Sequence, residues 1–303
     1  MTDTADTAST PPDRFARFVA PARARPALWR LGVGCVVAVA VYLGLNLGVS
    51  AGLAALAGPG AAQGWGARLA EAATPGATLV LLATFLPMAL GVILAARLLH
   101  RRNAGSLFGP AGATARGFAL GAGVTLAIYL PLLALWEIGY DSAPNLAPGL
   151  WLLLLPLGLL GLGIQTLAEE LAFRGYLLQQ LAARFRSPLV WGLGPALLFG
   201  VLHFDPGRMG DSAAVAVAAA TLFGVAAADL TARTGSIGLA WGVHMANNAV
   251  AILGLATKGT ITGLALRVTP YGVDEMARTP WTALLELVPF LLVWLVLRRL
   301  TAG

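Results

Sequence analysis

The sequence predicts an all-α, polytopic membrane protein, with about eight transmembrane helices enclosing an intramembrane cavity. Three observations predict it. Of 303 residues, 58% are hydrophobic and only 11% charged, with a mean hydropathy of +0.78. Soluble domains carry about a quarter charged residues, so this chain cannot cover itself with a water-compatible surface. The apolar residues fall in blocks of roughly 20, the length that crosses ~30 Å of hydrocarbon at ~1.5 Å per residue. The arginines flank those blocks instead of lining one face, the pattern that sets membrane topology.

The blocks lie at about 29–56, 77–99, 117–138, 149–172, 188–204, 212–232, 236–256 and 281–297. Residues 1–27 are polar and aperiodic and read as a disordered cytoplasmic arm, followed by a single transmembrane domain over 28–300. The first apolar block is long enough to span and lacks a cleavage site, so it reads as a helix and not a signal peptide. With eight spans, Arg14, Arg17, Arg23, Arg25 and Arg30, then Arg101, Arg102 and Arg116, Arg184 and Arg186, Arg233, and Arg298 and Arg299 all fall on one side. The positive-inside rule makes that side the cytoplasm and puts both termini there. The net charge of +6 is accounted for by this placement, so the lipid bilayer and not nucleic acid is the partner expected from it. Cys35 is the single cysteine, which excludes an intramolecular disulfide.

Most charges are explained by topology; those inside the spans are not. A charge at mid-membrane costs about 2.5–3.5 kcal/mol on insertion scales, so such residues mark function by default. Glu170 and Arg174 are four apart with the acid first, which places them on one helix face in the favourable order. Glu169 points about 100° away. An unpartnered carboxylate in apolar surroundings is suited to act as a base, whereas the Glu170–Arg174 pair suits a structural clamp. His203 follows Phe199 by one turn, so the ring walls the imidazole on one side. Asp205 is a candidate neighbour for it. His244 and Asn248 repeat the four-residue spacing and aim two hydrogen-bonding groups at one point, either as chemistry or as glue between helices. Asn247 points elsewhere.

Spans four and five form a hairpin turning near Arg186-Ser187. Glu169 precedes Arg186 by 17 residues and His203 follows it by 17. In antiparallel helices this brings both to one height, ~25 Å from the turn at ~1.5 Å per residue. His244, about ten residues past the turn at Thr234-Gly235, reaches that level if the hairpin protrudes by ~10 Å. The loop after His203 would then begin at membrane depth, which is tolerated only against protein or a water-filled cavity.

Glu169-Glu170-x-x-x-Arg174, Phe199-x-x-x-His203 and His244-x-x-x-Asn248, in order over about 145–256, resemble the three motifs of the CPBP family, also called ABI. That family holds CAAX prenyl endopeptidases of the Ras-converting type, bacteriocin-processing proteins and related bacterial membrane proteins. The resemblance implies an eight-helix core and peptide hydrolysis within the membrane. It implies that Glu169 and His203 activate water while His244 and Asn248 form an oxyanion hole, supported by Glu170, Arg174 and Phe199. No cofactor is favoured; if zinc were held, its ligands would be Glu169, His203 and His244, although the His-Glu-x-x-His signature is absent. A rhomboid-type Gly-x-Ser-Gly is not matched by Gly235-Ser236-Ile237-Gly238. Tyr140-Asp141 lacks the partner motif of a presenilin-type site. Two further functions fit the residues less well. One is a non-catalytic immunity or partner-binding protein of the same fold; the other is a proton-relay transporter, which predicts repeat symmetry that the chain does not show.

Overall fold

The structure, a computed structural model, describes residues 11–139, 141–278 and 280–302. Residues 1–10 of the expected arm, and Tyr140, lie outside the described residues. The helices are α1 (Pro11–Arg23), α2 (Leu28–Ala57), α3 (Pro59–Glu71), α4 (Pro75–Ala83), α5 (Leu86–His100), α6 (Ala111–Gly139), α7 (Pro148–Glu170), α8 (Gln179–Arg184), α9 (Gly194–Val201), α10 (Pro206–Met209), α11 (Ala213–Thr234), α12 (Gly238–Ala249) and α13 (Pro280–Leu300). Leu171–Leu178 joins α7 to α8 as a π-helix, and shorter π stretches at Leu189–Leu193 and Val250–Gly254 flank α9 and α12. Prolines open α3, α4, α7 and α10, where the first-turn N–H is unpaired in any helix.

Five stretches among the described residues are long and apolar enough to cross a membrane: Leu28–Ala57, Pro75–His100, Ala111–Gly139, Pro148–Arg184 and Pro206–Thr234. The other three apolar blocks are helical too, but Leu189–Val201 is shorter, so the count of eight is not reached on length alone. Only 6% of the most apolar stretch of α2 is buried within the protein, and Val36, Leu47 and Val49 point outward. Such an apolar face is tolerated where lipid replaces water.

The expected disorder over 1–27 does not hold for residues 11–23. They form α1, which packs across α8 and α11 with Phe18, Val19 and Ala22 buried. The Phe15 ring packs against Trp191 in a tilted arrangement, centroids 4.7 Å apart. Those apolar residues are spaced for one helix face, and the surrounding arginines and prolines mask the pattern. The all-α expectation also needs an addition. At the end away from α1, a three-stranded sheet caps the bundle: β1 (Ala143–Pro144), β2 (Leu255–Lys258) and β3 (Arg267–Gly272). β3 lies in the middle, antiparallel to β1 with Ala143 opposite Val268, and parallel to β2 with Leu255 opposite Arg267.

Three connections fix the opposite, arginine-rich end. His100 donates from Nδ1 to the Arg25 carbonyl (3.0 Å) and accepts from the Tyr176 hydroxyl at Nε2 (2.9 Å). Arg102, 4% exposed, bonds Ser106 and Gln179, tying the loop after α5 to α8. Burial lowers the Arg102 guanidinium to about 10. Asp229 of α11 meets Arg233 (3.0 Å), Arg298 (3.1 Å) and the Trp294 indole (2.9 Å), which docks α13.

The tightest helix contact is between α6 and α12, and glycine permits it. An added Cβ would fall 2.1 Å from the Phe118 carbonyl at Gly242, 2.1 Å from the Thr114 carbonyl at Gly238 and 2.4 Å from the Leu239 carbonyl at Gly121. Small residues of this kind let backbones approach in membranes. Gly242→Val is expected to lower stability by about 1–3 kcal/mol or more through overpacking. Thermal unfolding in detergent measures this, with Gly123→Ala as the control, since nothing lies within 4 Å of a Cβ there.

Candidate active site

Several helices converge on one buried cluster. Glu169 and Glu170 end α7, His244 sits midway along α12, and Phe199 and Phe223 come from α9 and α11. The His244 ring lies between the two carboxylates: Nδ1 is 2.8 Å from Glu170 Oε1, and Nε2 is 3.4 Å from Glu169 Oε2. Glu170 Oε1 also accepts from Arg174 Nη1 at 3.0 Å. Glu170 is fully buried, Arg174, His244 and Glu169 nearly so. The expected Glu170–Arg174 pair is formed, and the same oxygen also receives His244 from α12.

The protons follow from the partners. A carboxylate only accepts, so His244 donates Nδ1–H to Glu170. Its Nε2 then faces Glu169 Oε2 at 3.4 Å. Glu169 Oε2 and Glu170 Oε2 are buried and have no hydrogen-bond partner among the described residues. The Arg174 guanidinium beside Glu170 offsets one of the buried carboxylate charges, which lowers the penalty of burying it. Arg174 is further supported by the faces of Phe199 at 5.1 Å and Phe223 at 5.3 Å.

His203 stands at the rim, in the turn that ends α9, and it is exposed. Its Nδ1 lies 2.8 Å from the Phe199 carbonyl, which can only accept. That bond fixes the tautomer and leaves Nε2 as an acceptor. Phe199 is the shared wall: its ring is 4.6 Å from His203 and 6.1 Å from His244. No ion pair or hydrogen bond joins His203 to Glu169 among the described residues. The expected Asp205 partnership is not formed either; Asp205 accepts from the Arg208 N–H and caps α10.

Asn248 lies one turn beyond His244 and donates Nδ2 to Gln165 Oε1 at 3.0 Å. Gln165 is one turn before Glu169, so α7 and α12 face each other through two rungs, Glu169–His244 and Gln165–Asn248. Gln165 belongs to none of the three motifs, although its four-residue spacing from Glu169 within an apolar span is a signal for it. Asn247, expected to point elsewhere, also belongs here: it donates to Asn248 Oδ1 at 3.2 Å and accepts from the Tyr129 hydroxyl at 3.2 Å.

Among the described residues no three His, Cys, Asp or Glu side chains are grouped to hold a metal ion. Both His244 nitrogens already face carboxylates, and His203 stands apart, so the zinc set Glu169, His203 and His244 is not assembled here. A cavity of about 490 Å³ opens away from this cluster, between α6 and the sheet, where Leu130, Glu137, Leu255 and Arg267 line it.

Residues 149–250 match the family model described as type II CAAX prenyl endopeptidase Rce1-like. The chain is also 39% identical over 119 residues to the uncharacterized protein YyaK of Bacillus subtilis (strain 168). That alignment covers 39% of this chain and 39% of the relative, so it spans well under half of either protein. No solved structure matches. The matched region contains all three motifs and Gln165.

Arg174→Met is expected to destabilise the fold by about 3–5 kcal/mol, because Glu170 would keep a buried charge with one partner gone. Glu169→Gln removes no hydrogen-bond partner of Arg174 and should cost markedly less. Thermal unfolding of the two variants side by side checks the order.

Proposed function

Residues 149–250 group with the CPBP family of CAAX-type membrane proteases, and from that premise we propose that the chain is an intramembrane endopeptidase of the metal-free, glutamate-dependent kind. One observation carries the reading. A structural clamp between α7 and α12 requires Glu170, His244 and Arg174, but not Glu169. Glu169 adds a second buried carboxylate whose Oε2 has no hydrogen bond among the described residues. Such a group is costly to bury and suited to proton transfer.

In this mechanism Glu169 takes a proton from water, oriented also by His203 Nε2, and the water oxygen attacks the peptide carbonyl. The tetrahedral oxyanion receives Nε2–H of His244 and the second N–H of the Asn248 amide. Glu169 then passes its proton to the leaving amine, and the C–N bond breaks. Glu170 and Arg174 hold His244 in the donor orientation throughout. The substrate is a hydrophobic peptide or a membrane-protein segment that enters from the bilayer. The three remaining apolar helices complete an eight-span core, whose arginine-rich end faces the cytoplasm with both termini.

Cleavage of quenched-fluorescent hydrophobic peptides by the purified protein in detergent tests the chemistry. Glu169→Ala is expected to lower kcat by about 10²–10⁴, the range of a lost general base. Asn248→Ala is expected to cost about 10²–10³, the range of a lost oxyanion donor. Activity should survive EDTA. Absence of cleavage by folded wild type would favour a partner-binding role, and full activity in Glu169→Ala would remove this mechanism.

Topology has its own check, made simple by the single native cysteine. In a Cys35→Ser background, Ala302→Cys should react with an impermeant maleimide only from the cytoplasmic side. Labelling from outside would reverse the orientation.

A further inference from the structure

Beyond the Glu169–His244 rung lies a hydrogen-bonded chain that crosses three helices. Tyr129 on α6 donates its hydroxyl to Asn247 Oδ1. Asn247 Nδ2 donates to Asn248 Oδ1, and Asn248 Nδ2 donates to Gln165 Oε1 on α7. Gln165 is 8% exposed, and the two asparagines are half-buried. Each bond is of ordinary length, 3.0–3.2 Å.

The chain runs in one direction, with the Tyr129 hydroxyl as its first donor and Gln165 Oε1 as its last acceptor. A side-chain amide can present either its oxygen or its nitrogen to a neighbour, so an isolated asparagine has two orientations of similar shape. Tyr129 has one proton to give, and giving it to Asn247 requires the Asn247 oxygen to face α6. The Asn247 nitrogen is then turned towards Asn248 and must meet its oxygen. The Asn248 nitrogen is turned in its place towards Gln165, whose oxygen receives it. Reversing Asn248 alone would set oxygen against oxygen at Gln165 and nitrogen against nitrogen at Asn247. Each mismatch would replace a hydrogen bond by a repulsive contact.

We propose that Tyr129, Asn247 and Gln165 are positioning residues that fix the amide orientation of Asn248, so that its second N–H is held towards the site. The Asn248 amide nitrogen carries two N–H bonds, one committed to Gln165 and one left for the reacting carbonyl oxygen. A preorganised donor stabilises developing charge without reorienting at the moment of reaction. The relay also joins α6 to the site, which no residue of the three motifs does. This inference rests on the peptidase reading above for its effect on rate, but not for the orientation itself.

The test therefore has two arms. In the first, side-chain amide resonances of ¹⁵N-asparagine-labelled protein in detergent are assigned by Asn247→Ala and Asn248→Ala. Tyr129→Phe, which keeps shape and removes one proton, should shift the Asn248 amide signals two hydrogen bonds away, and Gln165→Met should shift them directly. Unchanged Asn248 signals in Tyr129→Phe would overturn the relay whether or not the protein cleaves peptides.

In the second arm, kcat and KM are measured for Tyr129→Phe and Gln165→Met in wild-type and Asn248→Ala backgrounds. Each is expected to lower kcat about three- to ten-fold with KM nearly unchanged, the scale of one hydrogen bond. In Asn248→Ala, neither should lower kcat further. Equal losses in both backgrounds would overturn the positioning role and leave the two residues as packing. Inactivity of wild type itself would count against the peptidase reading, with the resonances still deciding the relay.

Discussion

His244 holds two carboxylates at once, one on each ring nitrogen, and the rest of the bundle is organised to make that tolerable. Each ion removed from water costs several kcal/mol even after relaxation. The cluster offsets this by pairing, with Arg174 and His244 both on Glu170 and His244 also beside Glu169. Aromatic faces of Phe199 and Phe223 complete the enclosure of Arg174. The contact works only if α7 and α12 stay in register, because a slip of one residue on either would turn a nitrogen away from its oxygen. Glycines on α6 and α12, the Asp229 cluster that docks α13 and the sheet beyond α12 all act on that register.

Much of the site is legible in the sequence. The four-residue spacings of Glu170 with Arg174, Phe199 with His203 and His244 with Asn248 are local, and helix geometry alone places each pair on one face. The 17-residue symmetry about Arg186 puts the α7–α8 and α9 arms side by side, and Phe173 does meet Phe199 at 5.0 Å. What stays hidden are contacts made between helices. Nothing in residues 165–174 announces that Glu170 will be shared with α12, or that Gln165 will meet Asn248. Those depend on the interhelical rotation, which sequence spacing does not encode. Asp205 fails for the opposite reason: it is near His203 in sequence, but a free N–H at the start of α10 competes for it and wins.

The fold is legible where periodicity is long and obscured where it is short. Apolar blocks of about 20 residues announce themselves as spans. By contrast, α1 has a few apolar positions among arginines, and the strands of the sheet have six residues or fewer. The π-helical stretches are invisible for a further reason. They widen the turn without any residue type that signals it, and they are frequent at functional sites. Here Leu171–Leu178 begins immediately after Glu170, and Val250–Gly254 begins two residues after Asn248.

The place of α1 has a consequence for how the chain is made. It is synthesised before α8 and α11, which cover its apolar face and lie more than 150 residues downstream. At ordinary rates of about 5–20 residues per second, α1 waits roughly 10–30 s for them. During that interval Phe15, Phe18 and Val19 have neither α8 nor α11 to rest on, and the flanking arginines favour an anionic bilayer surface. The apolar face of α1 is therefore covered only after α11 has been made. Because α1 precedes α8 and α11 in the chain, its docking has to wait for theirs.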